Sequence, residues 1–176
     1  MGVSASEVSV SIVIAAPPER VWQVVSDIAV MPRLSSELQS VEWVDGFTEP
    51  ALGARFQGVN RHPAIGQWTT RSQIVVFDPP RRFGWAVGDP DLPAARWTFA
   101  LSPAPTGTAL EYTASIGPGP SGVTMLIERQ PRAADRIIQS RLEQFSAAMR
   151  ATLDGIRELV EVTPGGGSRQ NLVSER

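Results

Sequence analysis

AADRIIQSRLEQFSAAMRATLDGIRELVEV, residues 133–162, is the stretch that decides the fold. Ile138, Leu142, Phe145, Met149, Leu153, Ile156 and Val160 advance by threes and fours, while Arg141, Glu143, Arg150, Asp154, Arg157 and Glu158 fall largely off that stripe. An α-helix gathers such positions on one face, so the spacing predicts a long amphipathic helix with an apolar side to bury. At about 25 cal/mol per Å² of buried apolar surface, that side supplies much of the stabilisation of whatever it covers.

Upstream of the helix the texture is different. Between residues 41 and 115 no helical period lasts beyond about two turns; short alternating segments are separated by Asp45-Gly46, Pro63-Ala64-Ile65-Gly66, Asp78-Pro79-Pro80, Gly88-Asp89-Pro90 and Pro105-Thr106-Gly107, the residues that turns demand. Strands are expected over 40–44, 54–62, 67–77, 83–87, 95–101 and 109–116. Short connections make them an antiparallel meander. A seventh strand, 8–14, is read from Val8, Val10, Ile12 and Ile14 alternating with Ser9, Ser11 and Val13. It is followed by Ala16-Pro17-Pro18-Glu19, where prolines and an acid suit a first helical turn. Val21, Val24, Val25 and Ile28 mark one face of that helix, which Met31-Pro32 ends or bends into a second short turn over 34–38. After Gly117-Pro118-Gly119-Pro120 a short turn through Met125 leads to the long helix.

Strand, short helices, six strands and long helix make an α+β layout, in which one face of a curved antiparallel sheet is covered by the last helix. A strongly bent sheet does not touch one helix everywhere, so an interior cavity is expected near one end, filled by large side chains, water or a ligand. Alternation places Phe56, Gly58, Asn60 and His62, then Trp68, Thr70, Ser72, Ile74 and Val76, on the concave face. Phe83, Trp85, Val87, Trp97, Phe99, Leu101, Leu110, Tyr112 and Ala114 join them. Mostly apolar with a few hydrogen-bonding groups is the composition of small-molecule pockets.

Composition narrows the chemistry. With no cysteine there is no thiolate, disulfide or sulfur-based zinc site, and His62 is the only histidine. No G-x-S-x-G elbow presents a serine nucleophile. All sixteen basic residues are Arg, so a Schiff-base lysine is excluded, and a net charge of -2 with dispersed arginines argues against nucleic acid. Neither a metal nor a cofactor is called for. No apolar run reaches the roughly 20 residues of a membrane span, and the first residues lack a secretory pattern. A cytoplasmic protein without stable membrane insertion is therefore expected, with residues 1–162 as the ligand-binding domain and 163–176, which contain Pro164-Gly165-Gly166-Gly167-Ser168, as a disordered tail.

Several stretches resemble the SRPBCC superfamily, the START-like or polyketide cyclase/dehydrase group, in particular its small bacterial single-domain members. They are Ala16-Pro17-Pro18-Glu19-Arg20-Val21-Trp22 leading to Val25-Ser26-Asp27; 53–61, from Gly53-Ala54-Arg55-Phe56 to Asn60-Arg61; Trp68-Thr69-Thr70; Pro79-Pro80-Arg81-Arg82-Phe83; Trp97; and Gly107-Thr108-Ala109-Leu110. A departure is Leu34, where similar sequences often carry tryptophan. The resemblance implies a helix-grip fold with a ligand tunnel between sheet and C-terminal helix. Lipid carriers, aromatic polyketide cyclases and other proteins share that fold, so it does not fix function. It also places Glu128 and Arg129 near a cavity mouth, as a gating pair or a solvated surface pair.

The candidate ligand-binding residues are Asn60, His62, Trp68, Thr70, Ser72, Trp85, Trp97 and Tyr112. Trp68, Trp85 and Trp97 offer flat faces for stacking or for core packing. Asn60, Thr70, Ser72 and Tyr112 orient a ligand carbonyl or hydroxyl, or bond to one another. His62 and Tyr112 are the catalytic candidates, His62 because it titrates near neutrality, although a strand end beside a turn also accounts for it. Arg55, Arg61 and Arg71 fall on the opposite strand phase, facing solvent. Three functions follow in order: a carrier or sequestering protein for a small hydrophobic molecule, a polyketide cyclase/dehydrase-like enzyme, and a regulatory module that meets a protein partner.

Overall fold

A computed structural model describes residues 6–63 and 66–162; the expected tail at 163–176 and the turn residues 64–65 lie outside the described residues. Seven strands, β1 (Glu7–Ile14), β2 (Leu38–Trp43), β3 (Arg55–His62), β4 (Gly66–Asp78), β5 (Arg82–Asp89), β6 (Leu92–Ala104) and β7 (Gly107–Ile116), form one antiparallel sheet in the order β1-β7-β6-β5-β4-β3-β2. The meander thus runs from β2 to β7, and β1 returns to pair with β7 from Glu7↔Ser115 to Ile14↔Thr108.

Between β1 and β2 lie α1 (Pro18–Val25), a 3-10 turn (Ile28–Val30) and α2 (Met31–Leu34). Pro18 opens α1 where its missing amide costs nothing, and the Asp27 carboxylate accepts the Ala29 amide at 2.9 Å to start the 3-10 turn. The second short helix therefore comes earlier than its expected place at 34–38, and Leu38 is already strand. After β7 come α3 (Gly122–Arg129), a 3-10 turn (Pro131–Ala133) and α4 (Ala134–Val162). The arrangement is the α+β helix-grip layout, with α4 as the grip.

The segment expected as a mere turn through Met125 is the two-turn helix α3. Its capping box pairs Ser121 with Thr124: the Thr124 amide donates to Ser121 Oγ at 3.2 Å and the Ser121 amide to Thr124 Oγ1 at 2.8 Å. Thr124 stands where the usual signal is Glu or Gln.

One register shift changes the concave face. Between Ile74 and Val76 the β4–β5 pairing slips, so Ile74 faces Trp85 but Phe77 faces Phe83. A bulge of this kind reverses the phase of everything after it. Phe77 therefore takes the inward place expected for Val76, 5.7 Å from the Trp22 ring and 6.4 Å from Phe83.

The packed interior collects Val21 and Val25 of α1, Ile74, Phe83, Phe99 and Leu110 of the sheet, and Met149, Leu153, Ile156 and Val160 of α4, all sealed from solvent. Along α4 the burial is lopsided: Leu142 is the sole buried residue before Met149, and the stripe residues Ile138 and Phe145 stay partly exposed. The backbone of α4 approaches β1, β7, α1 and α2 and stands off from the middle of the sheet. Gly155 lets it come close to α2, since a Cβ there would meet Leu34 Cδ2 at 2.6 Å, and Thr152 Oγ1 donates to the Leu34 carbonyl at 3.3 Å. Leu34, the departure from similar sequences, thus seats the C-terminal half of α4.

Candidate functional site

Where α4 stands off, aromatic rings occupy the space. Trp85 of β5 and Trp97 of β6 are register partners and stack at 6.4 Å with 17° between planes. The next position across, on β7, is Ala114, whose small side chain leaves Trp97 room to lean toward α4. There it meets Phe145 at 4.7 Å. In the other direction Trp85 touches Phe56 at 6.2 Å, and Phe56 touches Trp43 of the edge strand at 6.0 Å. A ladder of rings therefore runs from β2 to α4. Trp85, Trp97 and Phe145 keep solvent contact, whereas the next row, Phe83 and Phe99, has none.

Tyr112 joins the two rows. Its ring stacks on Phe99 at 4.1 Å and lies 5.6 Å from Trp97. The ring is buried, with the residue 6% exposed. Among the described residues the hydroxyl makes no hydrogen bond to protein, and it is not sealed, so it keeps access to solvent. A hydroxyl with no protein partner at the margin of an apolar ring cluster is free to bond to water or to a guest carbonyl or hydroxyl. Burial raises the Tyr112 pKa well above its ordinary value, because the phenolate would be stranded in an apolar setting. A phenol held neutral in this way can donate a hydrogen bond but gives up its proton reluctantly.

The remaining sequence candidates sit elsewhere. Residues 66–71 of β4 pair with β3 but not with β5, so the β3–β4 hairpin extends past its neighbour. Asn60, Trp68 and Thr70 lie on this extension, and Asn60 Nδ2 donates to Thr70 Oγ1 at 3.1 Å. That bond, with a second from Asn60 Nδ2 to the Gly58 carbonyl at 3.4 Å, engages the amide nitrogen within the hairpin. His62 ends β3 opposite Gly66, six residues along the strand from Phe56, which puts the only histidine at the hairpin tip rather than among the rings. Ser72 is buried opposite Phe56 and Val87. The site thus brings together Trp85, Trp97 and Tyr112, with Ser72 beside them, and leaves Asn60, His62, Trp68 and Thr70 on the overhang. Arg55 and Arg71 face out and share Asp45 at 3.4 and 3.0 Å.

Two residues that border the rings, Arg141 and Glu37, escaped the sequence reading. Arg141, assigned to the polar side of the helix, reaches Glu37 with Nη1–Oε1 and Nη2–Oε2 both at 3.0 Å, and its guanidinium lies 4.6 Å over the Phe145 ring. Glu37 precedes β2, so this fork crosses from α4 to the far edge of the sheet. The available signal was position: Arg141 lies one turn before Phe145, on the border of the apolar stripe. Glu128 and Arg129 are both exposed on α3 and form no ion pair among the described residues.

The interior differs from the roomy cavity expected. The two best-formed depressions among the described residues are surface grooves: one of about 470 Å³ lined by Arg129, Gln130, Pro131, Arg132, Ala133 and Arg136, the other of about 460 Å³ between α2 and the end of α4. Neither lies between sheet and helix. The reason is the rings themselves, which meet at 4–6 Å and fill most of the space that the sheet leaves under α4. What remains is a row of rings, Trp85, Trp97 and Phe145, that the helix covers only in part. Among the described residues no cluster of acids and histidine suits a metal ion, and no helix is long and apolar enough to cross a membrane.

Comparison with known proteins places this geometry. Residues 5–161 match the model of the family described as polyketide cyclase / dehydrase and lipid transport. Among solved structures, the chain is similar to the Polyketide_cyc-like protein Cgl2372 of Corynebacterium glutamicum, at 30% identity and a TM-score of 0.65, over 90% of this chain and 93% of that one. It shares its fold with two di-domain ARO/CYC proteins. These are BexL of the BE-7585A biosynthetic pathway (20% identity, TM-score 0.68, 90% of this chain and 50% of that) and StfQ of the steffimycin pathway (15%, 0.67, 89% and 51%). The chain therefore spans about half the length of each ARO/CYC protein. No curated protein matches it. The chain belongs to the polyketide cyclase / dehydrase and lipid transport family, and its helix-grip fold is that of its polyketide-cyclase-like neighbours.

Proposed function

We propose that this family member binds a small, flat, largely apolar molecule between α4 and the Trp85–Trp97 face of the sheet, and that it acts as a carrier or sequestering protein. One observation carries the reading: Trp85, Trp97 and Phe145 are partly exposed rings, and beside Trp97 lies Tyr112, whose hydroxyl makes no hydrogen bond to protein among the described residues, an apolar wall with one polar atom open to a guest. The family description, with both lipid transport and cyclase chemistry in it, supports a hydrophobic guest. A guest enters by parting rings that now touch, which replaces ring–ring contact with ring–ligand contact at little cost in buried area.

The enzyme reading is favoured by the same hydroxyl. A phenol held neutral can donate to a carbonyl and promote enolisation or ring closure of a chain already folded by the cleft. His62 at the hairpin tip does not help it, so catalysis here rests on Tyr112 and positioning. Native mass spectrometry of the purified protein, with melting curves in the presence of N-phenyl-1-naphthylamine, tests the binding reading. A bound small molecule or a rise in melting temperature is expected. No adduct and an unchanged melting temperature contradict it. Turnover of a polyketide-like substrate that falls at least about tenfold in Tyr112→Phe identifies the enzyme.

A further inference from the structure

We infer that Arg141 reads an anionic group on the ligand, and that the Glu37 carboxylate now on it is a stand-in which the ligand's own acid displaces. The guest is then an aromatic or conjugated acid. This rests on the proposal that the cleft takes a ligand, and adds the chemical class.

Three features of the fork support it. The first is continuity: the Arg141 guanidinium covers Phe145 at 4.6 Å, Phe145 meets Trp97 at 4.7 Å, and Trp97 stacks on Trp85, so one apolar surface ends at one cation. A flat acid laid along that surface has its charged end at Arg141. The second is shielding. Arg141 and Glu37 side chains are 16% and 28% exposed, whereas the arginines of the other four ion pairs among the described residues are 42–71% exposed. Removing such a pair from water costs about as much as the attraction returns, so the fork adds little stability of its own.

The third is that the two partners are held differently. Arg141 is braced by the Phe145 ring and by Gln144, whose Oε1 accepts from Nη1 at 2.9 Å. Glu37 is fixed through its backbone: its amide donates to Ser35 Oγ at 3.2 Å and its carbonyl accepts from the Arg61 amide at 2.8 Å. Its carboxylate can therefore swing to water without moving the chain, leaving the guanidinium in place. Exchanging one carboxylate for another on a planar fork conserves the charge-assisted bonds.

Two fluorescent probes that differ by one sulfonate test the assignment: 8-anilinonaphthalene-1-sulfonate and neutral N-phenyl-1-naphthylamine. Titrated into the full chain, Glu37→Ala is expected to tighten the sulfonate probe at least about tenfold, and Arg141→Met to weaken it at least about tenfold. The neutral probe stays within about twofold in both. Glu37→Gln, which preserves shape, gives the same direction should the alanine variant fail to fold. Trp97→Ala weakens both probes. If the two probes shift together in the Glu37 and Arg141 variants, Arg141 does not read charge and the inference falls while the cleft stands. Failure of the neutral probe to bind, or indifference of both to Trp97→Ala, overturns the cleft reading and this inference with it.

Discussion

Along α4, Met149, Leu153, Ile156 and Val160 are sealed in a core shared with Val21, Phe83 and Phe99, whereas one to three turns earlier Ile138 and Phe145 stay partly exposed, Phe145 against the equally half-covered Trp97. Both halves follow the same sequence stripe. What differs is the partner: the C-terminal half meets α1, α2 and the closed row of the sheet, and the N-terminal half meets Trp97 and a fork to Glu37. Complete packing gives stability, and incomplete packing leaves the surface on which a guest can lie. On the proposed function, the two tasks fall to two halves of one helix.

The comparison breaks most readily in the core. Phe99→Ala is expected to lower unfolding free energy by about 3–5 kcal/mol and Met149→Ala by about 2–5, read from urea denaturation, while Phe145→Ala costs only about 1–2. Equal losses at Met149 and Phe145 would erase the distinction. Gly155→Val is next, at about 1–3 kcal/mol, because Leu34 must move from α4. Smallest is Tyr112→Phe, which removes a hydroxyl with no partner and so leaves the melting temperature unchanged or higher. A fall of several degrees would mean that the hydroxyl is bonded.

Tyr112 also sharpens the contrast through pH. It is the only tyrosine, so the tyrosinate rise in absorbance near 295 nm, read as a difference over the background of five tryptophans, comes from it. Its pKa is raised on folding by burial, so below the unfolded-chain value of about 10 the group is neutral in both states. Above that value the unfolded chain ionises and the folded chain resists, and stability declines as pH rises. The tyrosinate signal is therefore expected to appear only with loss of tertiary structure; ionisation in the intact fold would show that the ring is wet.

Much of this was legible in the sequence because it is periodic. Alternation located all seven strands, and the threes-and-fours stripe located α4. The Val76–Phe77 exchange was not legible, since a bulge of one residue leaves alternation intact on either side while reversing its phase. Helix α3 was hidden by a capping box closed by Thr124 in place of an acid or amide. At the site, Trp85, Trp97 and Tyr112 could be placed on one face by counting, but whether the rings fill the interior depends on three-dimensional contact. The Glu37–Arg141 fork joins residues 104 apart, beyond any local pattern.

Hydrogen exchange along α4, with and without N-phenyl-1-naphthylamine, tests the division most directly. The account predicts that amides of residues 149–162 exchange only through global unfolding. Those of 134–148 open at least about tenfold more often and slow when the compound binds. Uniform protection along the whole helix, unchanged by the compound, would contradict it.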